Sequence, residues 1–77
     1  MPLISVKLIE NVFTTEQKHQ IAHDLTEALV AIEGERMRPV TWCVVEEVKS
    51  GDWAIGGQSL TTEAVQALAR GDVSLPV

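Results

Sequence analysis

Residues 14–34 read Thr-Thr-Glu-Gln-Lys-His-Gln-Ile-Ala-His-Asp-Leu-Thr-Glu-Ala-Leu-Val-Ala-Ile-Glu-Gly. Thr14 as N-cap with Gln17 three residues on matches a capping box, in which two side chains satisfy backbone N–H groups that a helix start leaves open. Glu16 suits the positive end of the helix. Ile21, Leu25, Ala28, Leu29 and Ile32 then recur at i, i+4, i+7, i+8 and i+11, one face of an α-helix. Gly34 supplies the stop, because helices commonly end on a left-handed residue that glycine adopts without steric cost.

Strand patterns flank this helix. Leu3–Ile9 reads Leu-Ile-Ser-Val-Lys-Leu-Ile, β-rich and too short for a helix. Ile4, Val6 and Leu8 form one face, and Leu3, Ser5, Lys7 and Ile9 the other. Both are mostly apolar, so the strand is expected to be central or buried at an interface. Pro39 bars continuation of a helix, and Val40–Val48 reads as a second strand. Strand, capped helix and strand make a βαβ unit, whose crossover predicts parallel strands. Turn signals at Ser50-Gly51-Asp52 and Gly56-Gly57 bracket Trp53-Ala54-Ile55, predicting a short hairpin or an arm that reaches a neighbouring chain. Thr61-Thr62-Glu63 caps a final short helix running through Arg70, with Val65 and Leu68 inward and Gly71 ending it. The tail from Asp72 to Val77 has no clear period and reads as loose or packed on a partner. With no internal repeat, low-complexity tract or linker, residues 1–77 are expected to form a single α+β domain.

Composition bounds the function. A chain of 77 residues is 45% hydrophobic, yet a domain this small buries only about 60% of its unfolded surface. Copies of the same chain are the economical cover, so a homo-oligomer of two, three or six chains is expected. Net charge −5 with only six basic residues, scattered along the chain, argues against nucleic acid as a partner. No run approaches the roughly 18 apolar residues of a membrane span, and no leader resembles a signal peptide, so no membrane partner is expected. The single cysteine, Cys43, excludes an internal disulfide and fits a reducing cytoplasm. Cys43 lies in an apolar strand and reads as a packed thiol.

Pro2 stands where removal of Met1 would make it the amino terminus. A terminal proline is a secondary amine, and a lowered pKa would make it a general base. Together with the strand behind it, Glu16-Gln17-Lys18 opening the helix, and Trp53-Ala54-Ile55-Gly56-Gly57 after the second strand, the chain resembles the 4-oxalocrotonate tautomerase family. The resemblance covers Pro2 to Gly57. It implies a β-α-β fold with a short carboxy-terminal hairpin, two units pairing into one sheet, and dimers assembling further. It also implies that Pro2 moves a proton between oxygen and carbon of a small enol or 2-oxo acid, with no cofactor. An α-amino group sits at about 7.7–8.0 and a free proline amine higher, so partial burial by apolar neighbours such as Leu3, Leu8 and Trp53 is needed to bring it toward neutrality.

The resemblance also implies two arginines that bind carboxylates. One is expected just after the first strand, where Val12 or Phe13 stands, and the other in the second strand, where Trp42 stands. Trp53 matches the family's aromatic wall. Arg36 and Arg38, on either side of Met37 in the helix-to-strand loop, are candidate replacements. Arg38 is the better one because a guanidinium grips a carboxylate bidentately. The competing reading makes them solvated loop arginines or partners in an intersubunit ion pair. Lys7 points either to the site or to solvent. Trp42 is core, interface or pocket floor, and its indole N–H can donate one hydrogen bond to a substrate oxygen.

Other constellations are weaker. His19, His23 and Glu27 share a helical face at i, i+4 and i+8, a spacing that can ligate a metal. That face opposes the apolar stripe and has no visible helical partner, so no metal is assigned. Of Glu46 and Glu47, one is expected to point inward or to an interface, and Glu47 is the candidate for water activation. The expected activity is keto–enol tautomerisation of a monoacid such as an aryl pyruvate. The alternatives are dehalogenation or decarboxylation on the same scaffold, and a non-catalytic oligomeric ligand-binding or assembly module.

Overall fold

Local hydrogen bonding places the elements where the sequence puts them. A computed structural model describes residues 1–72; the expectation for the tail from residue 73 onward lies outside the described residues. In order, the chain forms strand β1 (Leu3–Ile9), helix α1 (Thr15–Glu33), a 3₁₀ helix (Glu35–Val40) and strand β2 (Trp42–Val48). Strand β3 (Trp53–Ile55), strand β4 (Gln58–Leu60) and helix α2 (Thr62–Arg70) follow. This is the expected α+β arrangement of a β-α-β unit, a strand pair and a final helix. Two compact units result: Met1–Lys7 with Phe13–Glu46, and Leu8–Val12 with the described residues from Glu47 onward.

The first unit contains the capped helix. The Thr14 hydroxyl accepts from the Gln17 N–H at 3.1 Å and the Gln17 side chain accepts from the Thr14 N–H at 2.9 Å, a complete capping box. Gly34, at φ 105°, ends α1 with its N–H on the Val30 carbonyl at 2.8 Å. The most buried helix residue is Val30, 4% exposed, with Ala22 and Thr26 half-buried on the same i, i+4, i+8 ridge. This corrects the expected stripe. Leu25 is exposed and Ile32 is 84% exposed, so the apolar positions divide between a covered ridge and a bare one. The covered ridge, Ala22, Thr26 and Val30, is rotated by roughly a third of a turn from the centre of that stripe at about 100° per residue.

β1 and β2 pair in parallel. The Trp42 N–H donates to the Pro2 carbonyl at 3.0 Å, and the Lys7 Nζ lies 3.3 Å from the Glu46 Oε1. Farther along, the Glu10 N–H donates to the Val48 carbonyl at 2.8 Å. Residues 39 apart in sequence therefore sit side by side, which joins Leu3 to Trp42, Ser5 to Val44 and Lys7 to Glu46 on one open face. Ile4, Val6, Cys43 and Val45 are the half-buried face. Parallel pairing was expected; the strand expected from Val40 starts instead at Trp42. The 3₁₀ helix takes up Val40, because the Thr41 N–H and hydroxyl bond back to the Arg38 and Met37 carbonyls at 3.2 and 2.8 Å. Pro39 fits there as a residue that needs no N–H partner.

In the second unit, β3 and β4 form an antiparallel hairpin with Trp53 opposite Leu60 and Ile55 opposite Gln58. Gly56 and Gly57 turn it at φ 58° and 83°. Two successive positive φ values suit the right-handed twist of a two-residue hairpin, and glycine reaches them without strain. The Thr61 hydroxyl caps α2 by accepting from the Ala64 N–H at 3.1 Å, and Gly71 closes it in a left-handed conformation. Thr62 is 5% exposed, and its hydroxyl donates to the Glu10 carbonyl at 2.6 Å while its N–H donates to the Ser50 hydroxyl at 2.8 Å. The Glu10 carboxylate accepts from the Ser50 N–H at 2.9 Å, and the Gln66 amide donates to the Asn11 carbonyl at 2.9 Å.

Candidate active site

Pro2 sits immediately before β1, half-buried, with its carbonyl held by the Trp42 N–H at the head of β2. Met1, which precedes it, is 77% exposed. While Met1 is attached, the Pro2 nitrogen is an amide without basic character. Freed, it is a secondary amine at a fixed strand end. Beside it the open face presents Leu3 and Trp42, and then Val44, as exposed apolar side chains. Trp42, 55% exposed, is therefore not core in this chain.

Farther along that face Lys7 is exposed and pairs with the exposed Glu46. Of the two second-strand glutamates, neither points inward: Glu46 meets Lys7, and Glu47 is exposed with its Oε2 accepting from the Asn11 N–H at 3.4 Å. Asn11 holds a positive φ of 61°, which is uncommon for a residue with a Cβ but tolerated by asparagine. Just beyond it, Val12 is half-buried and Phe13 exposed.

Arg38 is engaged on both edges of its guanidinium. Its Nη1 and Nη2 grip the two Glu27 oxygens at 2.6 and 3.0 Å, while Nε and Nη2 reach the two Glu35 oxygens at 2.5 and 3.2 Å. Hydrogen bonds from Arg38 hold the Glu27 and Glu35 carboxyls below their ordinary value, and those two carboxylates push the Arg38 guanidinium up. The arginine is thus paired with two carboxylates of its own chain, with its side chain 40% exposed. Sequence reasoning missed Glu35 and considered Glu27 only beside His19 and His23, not as a partner of Arg38. Neither contact was legible: the Glu35 contact depends on the 3₁₀ helix, whose three-residue repeat stacks positions 35 and 38, and the Glu27 contact crosses 11 residues and two elements. Arg36 is exposed, with no hydrogen bond or ion pair among the described residues.

On α1, His19 and His23 are exposed. His23 lies 3.3 Å from Asp24 Oδ1 and 3.7 Å from Glu27 Oε1. Among the described residues no group of three His, Cys, Asp or Glu side chains is gathered to hold a metal ion, and Cys43 is a half-buried free thiol. No helix of the described residues is long and apolar enough to cross a membrane. In the second unit Trp53 is half-buried at the start of the hairpin, opposite Leu60.

Comparison with known proteins places this arrangement. A family model described as "Tautomerase enzyme" matches residues 2–63. A probable tautomerase of Dickeya dadantii is 33% identical over 67 residues, 87% of this chain and 98% of that protein. Among solved structures, an apo "unFused 4-OT" superimposes with a TM-score of 0.68 at 28% identity, over 77% of this chain and 93% of the other. A structure from work on the 4-oxalocrotonate tautomerase isozymes of Methylibium petroleiphilum gives a TM-score of 0.66 at 26% identity, over 83% and 97%.

Proposed function

The chain belongs to the tautomerase family, and on that premise we propose that it tautomerises a small enol or 2-oxo acid with Pro2 as general base and acid once Met1 is removed. The observation that carries the reading is the placement of Pro2. It heads β1 with its carbonyl bonded to Trp42, so removal of one exposed residue leaves a secondary amine anchored at a strand end. The amine takes a proton from the enol hydroxyl or the carbon acid and returns it at the other position, which is net-neutral for the enzyme. Positioned proton transfer of this kind typically contributes about 10²–10⁴-fold.

The apolar face formed by Leu3, Trp42 and Val44 lowers the cost of keeping that amine neutral, because a charged ammonium loses hydration there. Trp42 is the proposed apolar wall for the substrate, and Arg36 and Arg38 are the candidate cations for its carboxylate. The protein works as a homo-oligomer: the exposed Leu3, Trp42, Val44, Leu25 and Ile32 are more apolar surface than a small chain leaves to water. No cofactor enters the chemistry of an amine base, and a cytoplasmic setting suits the free Cys43.

The test is absorbance decay of enol phenylpyruvate and of 2-hydroxymuconate, with protein confirmed by mass to begin at Pro2, beside Pro2→Ala and a variant that retains Met1. The expected result is acceleration by the parent that drops about 10²-fold or more in both altered proteins. Equal rates in all three would overturn the proline-base reading. They would favour a non-catalytic oligomeric module, the reading supported by the absence of arginine at 12, 13 and 42.

A further inference from the structure

The two arginines of the 3₁₀ helix differ in what their charges already hold. Arg38 is chelated by Glu27 and Glu35, a cluster that leaves one net negative charge. Arg36 is exposed and unpaired among the described residues. In a chain with 11 acidic side chains against six basic ones, an arginine without a carboxylate is the exception. Within the same unit Lys7 and Arg38 each have one.

Geometry explains the separation. Glu35 and Arg38 stack on one side of the 3₁₀ helix, whereas position 36 is turned about 120° away from them. The segment is also held still. Arg38 ties it to α1 through Glu27, and Thr41 ties its end to α1 through a hydrogen bond to Glu33. Thr41 leads directly into Trp42, whose N–H holds the Pro2 carbonyl. A braced segment next to the proline strand end therefore carries one free guanidinium.

We infer that Arg36 binds the substrate carboxylate, and that Arg38, with Glu27 and Glu35, is a positioning residue that holds the 3₁₀ helix presenting it. The inference deepens the tautomerase reading and rests on it for the identity of the substrate. It narrows the substrate class to monocarboxylates: one free cation matches one carboxylate, and a second carboxylate on the ligand would meet the negative Glu27–Arg38–Glu35 cluster.

The experiment titrates ¹⁵N-labelled protein beginning at Pro2 with phenylpyruvate and follows the arginine Nε–Hε resonances, assigned through Arg36→Gln and Arg38→Gln. The Arg36 resonance is expected to move and the Arg38 resonance to stay. Arg36→Gln should weaken phenylpyruvate binding roughly tenfold or more, as loss of a hydrogen bond to a charged group does. In turnover the same variant should raise KM and leave kcat nearly unchanged, the sign of lost uniform binding. Arg38→Gln should raise KM by a smaller factor, and Arg38→Lys should not rescue it, since an ammonium cannot grip two carboxylates at once. A purely structural Arg38 would lower the melting temperature without moving KM.

Movement of the Arg38 resonance, an unmoved Arg36 resonance or unchanged affinity in Arg36→Gln would each overturn the assignment. Binding is read without turnover, so the two readings fail separately. A protein that binds phenylpyruvate through Arg36 but does not tautomerise it would defeat the proline-base reading and leave this one standing.

Discussion

The two compact units of this chain handle their exposed groups in opposite ways. The unit built from Leu8–Val12 and the described residues from Glu47 onward closes on itself. Leu60, Ile9 and Thr62 are buried, and Thr62, Ser50, Glu10, Gln66 and Asn11 exchange hydrogen bonds that leave none of these contacts dependent on another molecule. The unit that carries Pro2 stays open. Its one buried apolar residue is Val30, while Leu3, Trp42 and Val44 on the strands and Leu25 and Ile32 on α1 face outward. The difference teaches that a short chain can complete part of its fold through directional polar bonds while another part leaves apolar surface exposed. The second kind of region is where the proposed chemistry lies.

The largest effect should come from striking the open unit. Ile32→Asp changes a side chain that is 84% exposed in the single chain, so it should cost little there. If copies cover α1, each loses about 1.5–3 kcal/mol of apolar burial, twice over in a two-fold contact, and a carboxylate is buried instead. Sedimentation should then show the parent as an oligomer and the variant as single chains. An unchanged mass for the variant would remove the helix ridge from the interface and blur the contrast between the units.

A smaller effect is expected in the closed unit. Thr62→Val keeps the shape of the side chain but leaves the Glu10 carbonyl without its donor, a loss of about 1–3 kcal/mol. Urea unfolding should show this loss at every protein concentration, whereas any cost of Ile32→Asp should depend on concentration. Concentration dependence for Thr62→Val would mean that the closed unit also relies on a neighbour.

The smallest effect separates the units by pH. Glu27 and Glu35 have folded pKa values lowered by hydrogen bonds from Arg38. Their contribution to stability is therefore present above the ordinary carboxyl value of 4.5 and fades as pH falls through the lowered folded values. Arg38→Gln should be less stable than the parent at neutral pH, and the difference should close in acid below those values. The deficit of Thr62→Val involves no titrating group and should persist across the same range. Parallel acid limbs for parent and Arg38→Gln would show that the ion pairs contribute nothing measurable, as many exposed pairs do.

Much of the fold was legible because it depends on neighbours within four residues. Thr14 and Gln17, Thr61 and Ala64, Gly34 and Val30, and the Gly56-Gly57 turn each settle a boundary through bonds between near residues. The 3₁₀ helix was not legible: Pro39 read as a barrier to helix, yet it fits a tight turn whose Met37 and Arg38 carbonyls accept from Thr41. The site was partly legible. Pro2, Trp42, Arg36 and Arg38 were candidates by residue type and position, with Arg38 preferred to Arg36, but the commitment of Arg38 to Glu27 was not legible, because nothing at residue 38 specifies which part of α1 it meets.

By itself the sequence determined the order of strands, helices and hairpin, most of their limits, and the parallel crossover. These follow from caps, turns and periodicity, which act over a few residues. Only the tertiary structure decided that Trp42 stands beside Pro2, that Thr62 is buried on Glu10, that Leu25 and Ile32 on α1 are exposed, and that, among the described residues, Arg38 is paired while Arg36 is not. Each of these depends on which distant residues the path of the chain brings together. Charge and hydrogen-bond partners are chosen by distance in space, over separations of 11 to 52 residues here, at which local pattern carries no information.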